Sequence, residues 1–209
     1  MPVMSVNEET LISETLRLLT PLNLPGVLQN RKPHCFADKG FSKAAVYIVL
    51  DGAGRMLAIQ KPAFSADYPW SGQIAFPGGH VEPGDVSLLA AACRELQEEV
   101  GVSDASLHTV GSLGLFPTIS NVSIEAFVGF ACGALRLTPQ TSEVARILWV
   151  DIAGLLRCHL LNGYYNRDVA VSDLLYPVDD VTIWGATARI IQFLLDMALD
   201  HVESVVQKA

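Results

Sequence analysis

Positive charge is scarce in this sequence. Its 209 residues include 14 Lys and Arg against 22 Asp and Glu, which gives a formal net charge of −8. Because attraction to phosphates is the main non-specific force in nucleic-acid binding, so acidic a chain is a poor general nucleic-acid binder. We therefore expect no nucleic-acid partner, although a phosphorylated small molecule can still bind where metal ions neutralise the site.

Cysteines are few and widely scattered, at positions 35, 93, 132 and 158. They form no Cys-x-x-Cys pair and no cluster with histidine of the kind that binds zinc. We expect reduced thiols in a cytoplasmic protein rather than a disulfide framework.

Long uncharged hydrophobic runs are also missing. The N-terminus has no basic segment followed by an apolar run, so no signal peptide is expected. The most apolar late stretch, 183–199, is interrupted by Arg189 and Asp196, which argues against a membrane span. We expect no membrane partner.

Half of the residues are hydrophobic, which is enough for one well-buried core but not for two, so a single domain over 1–209 is expected. Hydrophobic spacing predicts helices over 8–19, 86–100 and 184–202. Apolar, β-rich runs predict strands at 44–50, 56–60, 73–76, 107–115, 123–133 and 144–150. Residues 20–41 are predicted to form an irregular connector and 155–180 mostly a loop. Interleaved helices and strands predict an α/β (α+β) fold.

Polar and glycine residues mark the ends of two of these helices. Asn7 and Asp85 are the expected N-caps, since their short polar side chains can accept a hydrogen bond from the first turn. Gly101 stands where a helix-ending glycine is expected.

The second predicted helix carries three glutamates within a stretch of five residues, namely Glu95, Glu98 and Glu99. At about 100° per residue, Glu99 lies about 40° to one side of Glu95 and Glu98 about 60° to the other. Carboxylates this close repel one another unless a positive charge lies among them. A hard divalent cation suits such an all-oxygen site. The alternative is a solvated helix face, the usual fate of an isolated charged run.

The run from Gly79 to Val102 resembles the Nudix box, written G-x5-E-x7-R-E-U-x-E-E-x-G-U, where U is an aliphatic residue. Its fixed positions are occupied by Gly79, Arg94, Glu95, Leu96, Glu98, Glu99, Gly101 and Val102. Asp85 stands where Glu is usual, and eight residues instead of seven separate it from Arg94. With the preceding Phe-Pro-Gly-Gly, this longer spacing is similar to the coenzyme A diphosphatase branch of the family.

The resemblance implies a Nudix fold, a mixed β-sheet sandwiched between helices. The core is expected over 42–152, with 1–41 as an N-terminal helical extension and 153–209 as a loop and C-terminal helix. It also implies Mg²⁺ (or Mn²⁺) held by Glu95, Glu98, Glu99 and the Gly78 carbonyl. Arg94 cannot bind a cation, so we expect it to pair with these carboxylates and fix their rotamers.

The general base is open at this stage. Glu143 resembles the glutamate outside the box that family members use as a further ligand or base, and the alternative is an exposed acid at a strand end. Glu95 or a metal-bound hydroxide can do the same work. Glu82 is a candidate for contact with a phosphate or metal, whereas Asp85 is expected to be a cap rather than a ligand.

Three further stretches resemble coenzyme A diphosphatases: 72–79, 117–121 and 183–189. They make Gly79 and Asn121 candidate substrate contacts. Tyr68 and Trp70, in the loop before the box, are candidates for stacking on a base, with loop packing as the alternative.

The upstream arginine signature of that branch, Leu-Leu-Thr-x-Arg-Ser-x3-Arg-x3-Gly, is not matched. Lys61 and Tyr68 stand where its arginines are expected. Neither side chain can copy the bidentate phosphate contact of an arginine.

The expected function is Mg²⁺-dependent cleavage of the diphosphate in a nucleoside diphosphate linked to another group, with coenzyme A or a derivative as the leading substrate. A nucleotide sugar or ADP-ribose is the alternative substrate, and a non-catalytic nucleotide-sensing module is the alternative class. A homodimer is a further expectation.

Overall fold

The computed structural model describes residues 7–29, 34, 40–63 and 71–206, and within them the central element is a mixed sheet of seven strands. The strands are β1 Ser42–Leu50, β2 Arg55–Gln60, β3 Ile74–Ala75, β4 Gly78–His80, β5 Leu107–Pro117, β6 Val122–Ala131 and β7 Arg146–Asp151. Their order is β3-β2-β1-β6-β5, with β4 paired to β1 and β7 paired to β2. Strands β1 and β6 run parallel and the other pairs antiparallel. A separate hairpin joins β8 Tyr176–Val178 to β9 Val181–Ile183.

Helices cover both faces of the sheet. They are α1 Glu8–Leu18, α2 Leu24–Gln29, α3 Leu88–Val100, α4 Ile152–Leu161 and α5 Gly185–Val206. Strand β1 shows why two layers form, because successive side chains point to opposite faces. Ile48 and Leu50 pack in the core with α1, α4 and α5, whereas Tyr47 and Val49 pack against α3. The expected mixed sheet between helices is confirmed.

Two segments predicted to be irregular contain regular structure. Helix α2 lies within the 20–41 connector, where its Pro and Gly predict a loop, because burial of Leu24 and Val27 holds it in place. Helix α4 and the β8–β9 hairpin lie within the predicted loop at 155–180. In α4, the Asp151 carboxylate accepts a hydrogen bond from the Gly154 N–H at 2.9 Å, so the helix is capped.

The start of α3 also differs from the prediction, which made Asp85 its N-cap. Ser87 is the cap, and its hydroxyl accepts from the Ala90 N–H at 3.1 Å. Asp85 is unavailable because the Arg94 guanidinium binds both of its carboxylate oxygens. The predicted cap Asn7 is confirmed, and so is Gly101, which ends α3 with a φ of 75°.

None of the helices in the described ranges is long and apolar enough to cross a bilayer.

Candidate functional site

Strand β4 places the glycine pair beside the acidic helix. It pairs with β1, and a Cβ on Gly78 would lie 2.3 Å from the Ala45 carbonyl oxygen, so only glycine allows this approach. The φ of Gly78 is 156°, a value that side-chain-bearing residues rarely adopt. The Gly78 N–H therefore points to α3, where it donates to Glu99 Oε2 at 2.9 Å.

Glu99 is the most enclosed acid of the site. Its side chain is 1% exposed, and its second oxygen is bound by the Lys61 ammonium. Burial raises the pKa of the Glu99 carboxyl, and the opposing Lys61 charge limits that rise. An isolated buried carboxylate is costly, so these two donors are what allow Glu99 to be buried beside β4.

Arg94 organises the other acids. Its guanidinium donates to both oxygens of Asp85 at 3.1 Å, to Glu95 Oε1 at 2.9 Å and to Glu98 Oε2 at 3.1 Å. It also donates to the His80 carbonyl at 3.1 Å, which ties the helix to β4. These hydrogen bonds hold the pKa of Asp85 below its usual value. The structure therefore contains the predicted pairing of Arg94 with neighbouring carboxylates.

Glu95 is packed against Gly79. A Cβ at position 79 would lie 2.3 Å from Glu95 Oε1 and 2.6 Å from its carboxyl carbon. Burial raises the pKa of Glu95, and the neighbouring Arg94 opposes the rise. Glycine at position 79 thus provides the space that this carboxylate occupies.

Glu143 joins Glu95 and Glu99 from a distant part of the chain. One carboxylate oxygen from each of the three lies within 4.8 Å of the others. Glu143 lies in the turn before β7, and this turn is anchored by the buried Val144 and by a hydrogen bond from the Ala145 N–H to the Gln60 carbonyl at 2.9 Å. Glu143 is the exposed member of the three.

Two predicted ligands or contacts face outward. Glu98 lies outside the compact group, and its side chain is 57% exposed beside Arg94. The Glu82 side chain is 65% exposed, with a carboxylate oxygen 3.8 Å from Arg94 Nη1. Asn121 lies in the exposed β5–β6 turn with a φ of 56°, a conformation that asparagine tolerates well. Tyr68 and Trp70 lie outside the described residues.

A cleft of about 870 Å³ opens beside these acids. Gly78, Gly79 and Glu143 line it, together with residues of the β5–β6 turn, Trp184 and the start of α5. Lys61 also lines the cleft. The sequence presents Lys61 only as a substitute for an arginine, and its place directly after the predicted strand 56–60 is the one local signal for a role in the site.

Comparison with known proteins identifies the family of the chain. The NUDIX domain family model matches residues 40–170. An uncharacterized Nudix hydrolase, NudL, from Yersinia enterocolitica is 32% identical over 129 residues, which are 59% of this chain and 65% of that protein. The NudL of Citrobacter koseri is 34% identical over 127 residues, 59% of this chain and 66% of its own length. The chain thus spans slightly less than two thirds of the curated relatives it matches.

A solved structure supports the fold alone. A MutT/nudix family protein from Enterococcus faecalis superposes with a TM-score of 0.51 at 14% identity, over 93% of this chain and 75% of that one. The family model, which matches more than half of the sequence, shows that the chain belongs to the Nudix hydrolase family.

Proposed function

We propose that the protein is a Mg²⁺ (or Mn²⁺) dependent pyrophosphohydrolase that cleaves the diphosphate of a nucleoside diphosphate linked to another group. The observation that carries this proposal is the meeting of Glu95, Glu99 and Glu143 within 4.8 Å, where Glu143 lines a cleft of about 870 Å³. A cleft of that volume is of the size that holds a cofactor-sized ligand.

The acidic group fits a small divalent cation. In octahedral coordination at about 2.1 Å, adjacent ligand oxygens lie about 3.0 Å apart and opposite ones about 4.2 Å apart. The carboxylate oxygens of the three glutamates lie within 4.8 Å of one another, so small movements suffice to meet those spacings, and all three offer the oxygen ligands that Mg²⁺ prefers. Glu98 and the Gly78 carbonyl are the proposed additional ligands.

Each residue has a distinct task in this proposal. A divalent ion, when bound, would supply charge neutralisation for the diphosphate and activation of water. Arg94 is anchored by its two hydrogen bonds to the Asp85 carboxylate. From that position it donates to Glu95 and Glu98 and holds both in fixed rotamers. Glu143 is the exposed member of the group and lines the cleft, which suits a residue that serves as a further ligand or as the base that takes a proton from water.

Coenzyme A or a derivative is the leading substrate, on the strength of the three stretches that resemble the coenzyme A diphosphatase branch. A nucleotide sugar or ADP-ribose is the second candidate. It is favoured by Lys61 and Tyr68, which replace the two arginines of that branch. The proposed location is cytoplasmic, in keeping with unpaired cysteines at positions 93, 132 and 158.

The test is a hydrolysis screen of purified protein with Mg²⁺ and with Mn²⁺, with products identified by mass. The panel holds coenzyme A and its acyl and oxidised forms, ADP-ribose, NADH, nucleotide sugars, dinucleoside polyphosphates and nucleoside triphosphates. Release of 3′,5′-ADP and phosphopantetheine supports the leading substrate. Turnover of another diphosphate alone assigns the second candidate.

Variants tie any activity to the acidic group. Glu98→Gln and Glu99→Gln are expected to abolish turnover, and Glu14→Gln on the surface helix α1 is the matched control. Full activity in both box variants would refute the site assignment. Tight nucleotide binding without turnover in saturating metal would instead favour a nucleotide-sensing module.

A further inference from the structure

The Lys61 ammonium forms an ion pair with Glu99, a carboxylate that the proposed metal site needs as a ligand. Glu99 is the most buried of the three clustered glutamates, and the Lys61 ammonium binds its Oε1. Its other oxygen, Oε2, accepts from the Gly78 N–H. Both oxygens of this carboxylate therefore already have a donor within the protein.

A divalent ion and the ammonium cannot share this position comfortably. Like charges repel strongly at the separations that one carboxylate oxygen imposes, and the effect is larger in a buried site than in water. One of the two cations must therefore leave Glu99 Oε1 when the other arrives, unless Glu99 takes no part in metal binding.

The Lys61 ammonium is the cation whose surroundings allow it to leave Glu99. Its backbone is fixed, because its N–H donates to the Gln73 carbonyl at 2.9 Å directly after β2. Its side chain is 28% exposed, whereas that of Glu99 is 1% exposed. A lysine carries a point charge on a flexible four-carbon stem, so its ammonium can swing away without moving the backbone. Lys61 lines the cleft, which gives the released ammonium a place to go.

We propose that Lys61 is a placeholder cation that neutralises Glu99 in the metal-free protein and is displaced into the cleft when a divalent ion binds. The inference rests on the metal site of the proposed function. It adds that the ion competes with a residue of the chain itself. It also implies that metal binding delivers a positive charge to the cleft.

The first test is the affinity of EDTA-treated protein for Mn²⁺, measured by calorimetry without any nucleotide. Lys61→Met is expected to bind Mn²⁺ about tenfold more tightly, the factor expected if the ion pair is formed in about nine molecules of ten. Lys43→Met, which removes one exposed positive charge from β1, is the matched control and should leave the affinity unchanged. Unchanged or weaker binding by Lys61→Met overturns the proposal.

A double-mutant cycle gives a second readout. The thermal stabilities of the wild type, Lys61→Met, Glu99→Gln and the double variant should show coupling between the two residues in EDTA. That coupling should vanish in saturating Mn²⁺, because the pair is then broken. Coupling of the same size in both conditions overturns the proposal.

Amine labelling followed by peptide mass spectrometry needs no variant and covers the case in which Lys61→Met does not fold. Lys61 is expected to label faster in Mn²⁺ than in EDTA, and Lys43 equally in both. An equal labelling rate of Lys61 in Mn²⁺ and in EDTA overturns the proposed exchange of the ammonium for the divalent ion. None of these measurements involves a diphosphate, so a positive result combined with a silent hydrolysis screen refutes the proposed function and leaves the exchange standing.

Discussion

Gly79→Ala isolates the position of one carboxylate from the rest of the fold. The added Cβ would lie 2.3 Å from Glu95 Oε1, 2.6 Å from its carboxyl carbon and 3.0 Å from Oε2. Non-bonded atoms settle at about 3.5 Å, so the carboxylate has to retreat by about 1 Å. That movement breaks the 2.9 Å hydrogen bond from Arg94 to Glu95 and opens the group that Glu95 forms with Glu99 and Glu143.

The expected loss is large for activity and small for stability. A misplacement of about 1 Å in a reacting constellation can lower the rate about 100-fold, so we expect kcat/KM to fall by about that factor. The clash is with the end of a flexible side chain that is 14% exposed, and this side chain can turn away. Alanine also reduces the freedom of the unfolded chain, so the free energy of unfolding should change by no more than about 1 kcal/mol.

The assay pairs kcat/KM on whichever diphosphate the screen identifies with Mn²⁺ calorimetry and thermal denaturation. Gly84→Ala, in the turn after β4, is the matched control because a Cβ there meets nothing within 4 Å. Wild-type Mn²⁺ affinity and kcat/KM in Gly79→Ala would refute the idea that Glu95 must occupy this space. A large fall in melting temperature would show that the loss is one of folding instead.

Three further outcomes are expected. Glu143→Gln should weaken Mn²⁺ binding by about tenfold or more in calorimetry while leaving the melting temperature unchanged, because the residue is exposed. Asp85→Asn should lower kcat/KM, with recovery in Asp85→Glu. Because Arg94 depresses the folded-state pKa of Asp85, the pair stabilises the fold above the unfolded-state pKa and loses that contribution as pH falls through the lowered pKa. Melting curves of Asp85→Asn should therefore depend less on acid pH. Tyr176→Phe should lower the free energy of unfolding by about 1–3 kcal/mol in denaturant titrations, because it leaves His159 Nδ1, now 2.9 Å from the Tyr176 hydroxyl, buried without a partner. An unchanged unfolding midpoint would contradict this last expectation.

Local sequence patterns predicted much of the fold. The spacing of apolar residues located α3 and α5, and Gly101 marked the end of α3 because few other residues adopt its φ of 75°. The same reasoning missed α4, whose buried residues recur at helical spacing over 152–159 but precede a polar, tyrosine-rich stretch. It also assigned Asp85 to a cap, because the competing demand of Arg94 depends on how α3 folds back against β4.

The sequence by itself determined which acids share one helix and that a glycine pair precedes them, since both follow from chain spacing and backbone sterics. The tertiary structure alone decided their environments. Packing of α3 against β4 leaves Glu99 1% exposed and Glu98 57% exposed, although the two are adjacent in sequence. It also brings Glu143 and Lys61 to the same carboxylate from opposite directions along the chain. Burial and long-range contact set the charge balance of the site, and neither can be read from local spacing because both depend on which strands the chain places side by side.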